Sequence, residues 1–267
     1  MIASYNREAR HAGKRILEEG GNAFDAFVAA TLVEYVVAPG VTSLAGPLNA
    51  LVYHQETDEK LYLDAELNHV ADPEGMWSEG EVGGKGVMVP GALHGLESIH
   101  QRYGKLPWAR LVQPAIALAR DGFPIDPIYS ATIEYRAETL KSTPYGTKTF
   151  FKNGKPLQSG ERLVQAELAV FLEEVAQRGS AAMYRGAWGE RCVETVRSRG
   201  GEWNCKIFTT IDPDGSHRGI FATEIAMCTA LRADRLGGHG RCWHSRRSSI
   251  SICRTDLISP NRRIDWK

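Results

Sequence analysis

The histidines and cysteines of this sequence could in principle bind a metal, but their spacing does not favour it. His239, Cys242 and His244 are zinc-type ligands close together in the chain, yet no second ligand pair stands at the spacing of a zinc site. His94 and His100 stand six residues apart on one predicted helix, which places them on different faces. We therefore expect no metal site. We expect His94 and His100 to be surface histidines or core histidines with satisfied hydrogen bonds.

Motifs that bind nucleotides or activate a serine are missing from the sequence as well. Gly83-Gly84-Lys85-Gly86 lacks the spacing of a P-loop and the Ser or Thr that follows its lysine, and no G-x-S-x-G sequence occurs. Asp25 lies in the first turn of a predicted buried helix, where a carboxylate either caps free amide donors or takes part in catalysis. We favour capping, and we expect no cofactor.

The helix that holds Asp25 begins at a sharp break in the chain. Gly20 and Gly21 can adopt left-handed backbone angles that end a helix over about 6–19. Asn22 can then cap a second helix over about 23–37. This second helix is apolar on nearly every face, so we expect it inside the protein, and it is too short to span a bilayer, which needs about 20 apolar residues.

The rest of the chain alternates strand and helix signals. Alternating apolar residues predict a hairpin with strands at 50–55 and 60–66, and Asn153-Gly154 predicts the turn of a second, short hairpin. A short strand is predicted at 86–89. Helices are predicted over about 92–103, 108–120, 130–140, 163–177 and 186–198.

Composition indicates a globular chain with no bias towards charged partners. Of its 267 residues, 43% are hydrophobic and 24% are charged, and the formal net charge is zero, which gives no reason to expect nucleic acid or an anionic membrane as a partner of the whole chain. The N-terminus has no apolar signal-peptide core, so we expect a cytoplasmic protein. Five cysteines, four of them after residue 204, imply no disulfide framework.

Several short motifs follow one another in a specific order. Gly-Gly-Asn-Ala-Phe-Asp-Ala at 20–26 is followed by Val89-Pro90-Gly91, Tyr103-Gly104-Lys105-Leu106-Pro107-Trp108, Asp121-Gly122-Phe123 and Gly200-Gly201. Each motif is common by itself, but the ordered set closely resembles the first half of the γ-glutamyltransferase (glutathione hydrolase) family. The resemblance covers about residues 1–203.

This resemblance implies an α+β fold, namely the helix-rich first half of the αββα sandwich of N-terminal-nucleophile hydrolases. In the family, a precursor cuts itself before a threonine, whose hydroxyl attacks a γ-glutamyl amide with its own α-amine as general base. Those parts lie beyond the matched stretch, so we expect no catalytic residue here. We expect a truncated γ-glutamyltransferase-like amidohydrolase or acyltransferase that is inactive alone. The alternatives are a large-subunit partner of a separately encoded catalytic subunit, and a non-enzymatic binding module.

The resemblance also implies one substrate contact, an arginine after the second hairpin strand that pairs with the α-carboxylate of the γ-glutamyl group. Glu66 stands at this position and would repel a carboxylate, so another amide or peptide becomes a candidate substrate. The alternative is an exposed strand-end glutamate with no role. The family's Gly-rich stretch is altered here to 42–47, where Gly46 either allows close backbone approach or serves loop packing.

The sequence changes character after Trp203. Thr209-Thr210 looks like the family's paired threonines, but only Ile211 separates the pair from Asp212, so no strand fits between them. We interpret the pair as two threonines in an irregular segment. We expect 204–267 to be a divergent or out-of-frame tail of irregular structure. A solvated basic tail, and a DNA-binding patch of interleaved Arg and Trp at 241–249, are the alternatives.

Overall fold

The structure is a computed structural model that describes residues 1–67, 84–201, 203 and 221–223. The chain divides into two units, Met1–Ile225 and Ala226–Lys267, and every described residue lies in the first. Within the described residues, no helix is long and apolar enough to cross a membrane.

The break at Gly20 separates two helices that pack against each other, as the sequence predicts. Helix α1 spans Arg7–Glu18 and helix α2 spans Ala23–Val37. Gly20 has a φ of +89°, a conformation in which glycine carries no steric penalty. Asn22 and Asp25 form a capping box at the start of α2, so the predicted cap is confirmed.

Strands β1 (Leu48–His54) and β2 (Glu59–Ala65) form the predicted antiparallel hairpin, with Leu48 opposite Ala65. Strand β7 (Phe221–Thr223) pairs with the other edge of β2, so the sheet order is β1-β2-β7. One face of the hairpin is turned towards the core and holds Val52, Leu61 and Leu63, all buried. The other face is exposed, because side chains alternate along a strand.

The remaining elements follow the predicted order with local differences. The predicted helix at 130–140 is two helices, since the chain turns at Arg136. The predicted strand at 86–89 is mostly absent: 84–86 forms a single 3-10 turn, and only Val89 makes a strand-like bridge. The elements are α3 (Ala92–Tyr103), α4 (Trp108–Asp121), β3 (Phe123–Pro124), α5 (Pro127–Tyr135), α6 (Ala137–Lys141), α7 (Pro144–Phe150), β4 (Phe151–Lys152), β5 (Lys155–Pro156), β6 (Arg162–Leu163), α8 (Ala166–Arg178), α9 (Ala181–Tyr184) and α10 (Ala187–Ser198).

Helix α2 lies at the centre of the core. It packs against α1, α3 and α4, and Leu32, Val33 and Val36 are fully buried. Because neighbours cover it on several sides, its apolar residues need not form a single stripe. The described residues thus form a helix-rich α+β arrangement in which helices cover one face of the hairpin sheet.

Candidate functional site

Glu66, the predicted substrate contact, lies directly after β2 on the exposed side of the hairpin. Its side chain is held at both carboxylate oxygens. Asn49 Nδ2 donates to Oε1 at 2.5 Å, and the backbone N–H of Leu67 donates to Oε2 at 3.2 Å. Because Asn49 pairs in register with Asp64, the two strands present Asn49, Asp64 and Glu66 on one side of the sheet.

Helix α3 begins against this strand end, and glycine makes the approach possible. A Cβ on Gly91 would lie 2.4 Å from the carbonyl oxygen of Ala65 and 2.5 Å from that of Glu66. A Cβ on Gly95, one turn further on, would lie 2.5 Å from Ala65 Cβ. Non-bonded atoms do not approach this closely, so a side chain at Gly91 or Gly95 would force α3 and the strand end apart. The glycine of the Val89-Pro90-Gly91 motif therefore allows α3 to begin beside Glu66.

The altered Gly-rich stretch joins the same junction. The backbone N–H of Ala92 donates to the carbonyl oxygen of Gly46 at 3.0 Å, which ties the stretch to the start of α3. A Cβ on Gly46 would lie 3.1 Å from the carbonyl oxygen of Ser43. Of the two roles predicted for Gly46, tight packing within the loop is therefore the one the described residues account for.

Asp25 is fully buried and its carboxylate accepts only backbone N–H groups among its described hydrogen bonds. Asn22 donates to Oδ2 at 3.0 Å, Lys105 donates to both oxygens at 3.0 and 3.1 Å, and Leu106 donates to Oδ2 at 3.2 Å. The Asn22 side chain also donates to the carbonyl oxygen of Tyr103 at 2.6 Å. The capping role is confirmed, and the carboxylate additionally joins α2 to the loop before α4.

His94 and His100 are half-buried and engaged with neighbouring groups. His100 Nε2 lies 2.8 Å from the carbonyl oxygen of Leu106, and His94 Nδ1 lies 3.4 Å from Ser180 Oγ. Ser180 Oγ donates to Glu97 Oε2 at 2.5 Å, and the Ser180 backbone N–H donates to the same oxygen at 3.1 Å. Each of the two rings thus has a polar neighbour at one of its nitrogens.

The contact between Ser180 and Glu97 was not predicted from sequence. The two residues are 83 positions apart, and neither belongs to a recognisable motif, so only a three-dimensional structure brings them together. A serine acts as a nucleophile only when a base accepts the proton of its hydroxyl. Here one carboxylate oxygen of Glu97 accepts hydrogen bonds from both the hydroxyl and the backbone N–H of Ser180. We therefore interpret the contact as structural, because it ties α3 to the start of α9.

The remaining candidate groups are a thiol, the possible metal ligands and the threonine pair. Cys192 is a free, half-buried thiol, and burial raises its pKa, which disfavours the reactive thiolate. Across the described residues, no group of three His, Cys, Asp or Glu side chains could hold a metal ion. His239, Cys242, His244 and the Thr209-Thr210 pair lie outside the described residues.

Comparison with solved structures identifies the class of fold. The chain matches the crystal structure of Helicobacter pylori gamma-glutamyltranspeptidase with a TM-score of 0.73 and 26% identity, over 86% of this chain and 70% of that one. Together with the helices over one face of the sheet, this match defines a partial α+β fold of the N-terminal-nucleophile hydrolase class.

Sequence comparison then gives the family. The family model described as Gamma-glutamyltranspeptidase matches residues 9–210. The glutathione hydrolase-like YwrD proenzyme of Bacillus subtilis is 35% identical over 232 residues, which is 85% of this chain and 43% of that protein. The acylase ACY 1 proenzyme of Pseudomonas sp. is 34% identical over 218 residues, 75% and 39% respectively. The chain belongs to the gamma-glutamyltranspeptidase family, and it spans less than half the length of these two relatives.

The predicted boundary at 203–204 stays a prediction. The family match ends at residue 210, and the match to the Bacillus subtilis relative covers a larger share of the chain than residues 1–203. Within the stretch expected to be irregular, Phe221–Thr223 forms β7. The rest of that stretch lies outside the described residues.

Proposed function

We propose that this chain supplies the large-subunit-like part of an amidohydrolase or acyltransferase of the gamma-glutamyltranspeptidase family. By itself it is inactive, and a second part that carries the nucleophilic threonine completes the enzyme, on the same gene or as a separately encoded subunit. The observation that carries this proposal is the family match over residues 9–210, in a chain that spans less than half the length of the two relatives named above. Both of these relatives are named as proenzymes.

The exposed face of the hairpin supports the proposal that a second part completes the enzyme. Leu51 is 61% exposed and Tyr53 is 57% exposed, side by side on β1. Adjacent large apolar side chains on an exposed sheet face can form a contiguous apolar patch, and such patches mark interaction surfaces. A second sheet laid over this face would bury them, and Glu66 would then lie at the rim of the contact.

The charge at Glu66 supports a substrate other than a γ-glutamyl compound. A carboxylate fixed by Asn49 and by the Leu67 backbone would repel the α-carboxylate of a γ-glutamyl group. An uncharged or cationic acyl group at this position meets no such repulsion. One relative carries the name acylase, and we accordingly propose a small amide with no carboxylate at this point as the preferred substrate.

An assay with paired anilides tests the proposal. The chain is co-expressed with the remainder of the gene or with a neighbouring reading frame, and a γ-glutamyl anilide is compared with a butanoyl anilide. We expect hydrolysis only in the completed enzyme, with the butanoyl compound preferred. Hydrolysis by this chain alone would refute the need for a second part, whereas a preference for the γ-glutamyl compound would refute only the role of Glu66.

A further inference from the structure

A cavity lies between the segment 39–47 and helices α8 and α10, and neither Glu66 nor the exposed Leu51 and Tyr53 line it. Its volume is about 650 Å³, within the range of small-molecule sites in proteins. Helix α2 contributes Tyr35 to the lining, α8 contributes Phe171, α10 contributes Trp188, and Gln165 lies just before α8.

Aromatic rings form part of the described lining, and none of the described residues that line the cavity is charged. The rings of Phe171 and Trp188 lie 5.9 Å apart and are tilted by 33°, so they present a continuous aromatic surface. An ionised ligand would lose its hydration here without gaining an ion-pair partner from the lining. A planar uncharged ring would gain stacking contacts.

Neutral polar side chains, among them Gln165 and Tyr35, give the cavity a polar component. Gln165 is 95% buried and is held in place, because its Nε2 donates to the carbonyl oxygen of Val36 at 2.8 Å and its backbone N–H donates to that of Ala119 at 2.8 Å. The Tyr35 hydroxyl is protonated at neutral pH, as tyrosines ordinarily are, and burial raises its pKa further. Rigid neutral groups of this kind give a ligand orientation as well as affinity.

We propose that this cavity binds an uncharged small molecule that combines an aromatic ring with an amide or hydroxyl group. The ring lies against Phe171 and Trp188, and the polar group reaches Tyr35 or Gln165. This inference goes beyond the proposed function, because binding requires neither turnover nor a second part of the enzyme.

The test uses ligand-observed NMR on the full chain with three probes of similar size: phenylacetamide, phenylacetate and phenethylammonium. We expect phenylacetamide to bind at least about tenfold more tightly than either ion, which corresponds to about 1.4 kcal/mol. No binding of phenylacetamide, or equal binding of all three probes, would overturn the proposal. So would displacement of the amide by an added second part of the enzyme, since the cavity would then be a contact surface between the parts.

Two variants assign the binding to this cavity. Ala45 lines the cavity and is exposed, so Ala45→Trp fills the space without disturbing the core and should abolish binding of phenylacetamide. Ala131→Trp, at an exposed position on α5 outside the lining, is the matched control and should bind normally. Tyr35→Phe removes only the hydroxyl, and we expect a loss of about threefold or more. Binding by Ala45→Trp equal to that of Ala131→Trp would place the ligand elsewhere.

Discussion

The backbone N–H of Lys105 donates to both carboxylate oxygens of Asp25, at 3.0 and 3.1 Å. The two residues are 80 positions apart, and each belongs to a motif by which the sequence resembles its family. The buried carboxylate therefore explains why these two motifs occur together: the second supplies backbone donors for the acidic residue of the first. Its role is to hold α2 and the loop before α4 in one arrangement.

Replacing Asp25 should destabilise the fold more than any comparable surface change. In Asp25→Ala the backbone donors of Asn22, Lys105 and Leu106 lose their acceptor in the interior, so we expect a loss of about 2–4 kcal/mol in the free energy of unfolding. Urea unfolding followed by circular dichroism measures it. The control Asp121→Ala, at an exposed position at the end of α4, should stay within about 0.5 kcal/mol. Equal effects in the two variants would contradict the role of Asp25.

Gly91→Ala tests whether close packing of α3 on β2 is required. The added Cβ would lie 2.4 Å from the carbonyl oxygen of Ala65, so α3 or the strand end must move, and we expect a loss of about 1–3 kcal/mol. Gln101→Ala, at an exposed position on the same helix, is the control, with an expected change below about 0.5 kcal/mol. Thermal unfolding of both variants measures the difference in stability. A Gly91→Ala variant as stable as the control would show that close packing of α3 on the end of β2 is not required.

The exposed sheet face should govern both self-association and completion of the enzyme. Leu51→Ser combined with Tyr53→Ser removes the apolar surface of β1, so we expect the isolated chain to aggregate less and to bind a second part more weakly, by about tenfold or more. Light scattering and a pull-down with the second part measure the two effects. Val170→Ser is the control, because Val170 is 66% exposed on α8. If the control behaves like the double variant, general hydrophobicity is responsible instead of this face.

Glu66→Arg should change substrate preference in the completed enzyme. A guanidinium at this position attracts the α-carboxylate that Glu66 repels, so we expect kcat/KM for a γ-glutamyl anilide to rise at least about tenfold relative to a butanoyl anilide. Glu56→Arg makes the same charge change at the exposed turn of the hairpin and should leave the ratio unchanged. An equal shift in both variants would assign the effect to net charge.

Local signals in the sequence predicted a large part of the fold. The bounds of α2 and α3 follow from caps and glycines at their ends, and the hairpin follows from alternation. The bend at Arg136 was missed because no glycine or proline marks it. Helix α9 was missed because four residues are too short for a periodic pattern.

The candidate site was less predictable than the fold. Sequence resemblance pointed to the position of Glu66, but not to Asn49 as its partner, because that contact depends on strand register. The contact between Ser180 and Glu97 depends on how α3 meets α9. The aromatic cavity combines residues from several separate elements, none of which forms a motif alone.

The most direct test of the account is an amidase assay on the purified full chain alone, with γ-glutamyl and butanoyl anilides. We expect no turnover above background, both for the chain and for its Thr209→Ala, Thr210→Ala double variant, and we expect turnover once a second part with a nucleophilic threonine is supplied. Turnover by the chain alone would contradict this expectation. If that turnover survived in the double variant, the nucleophile would lie elsewhere in these 267 residues.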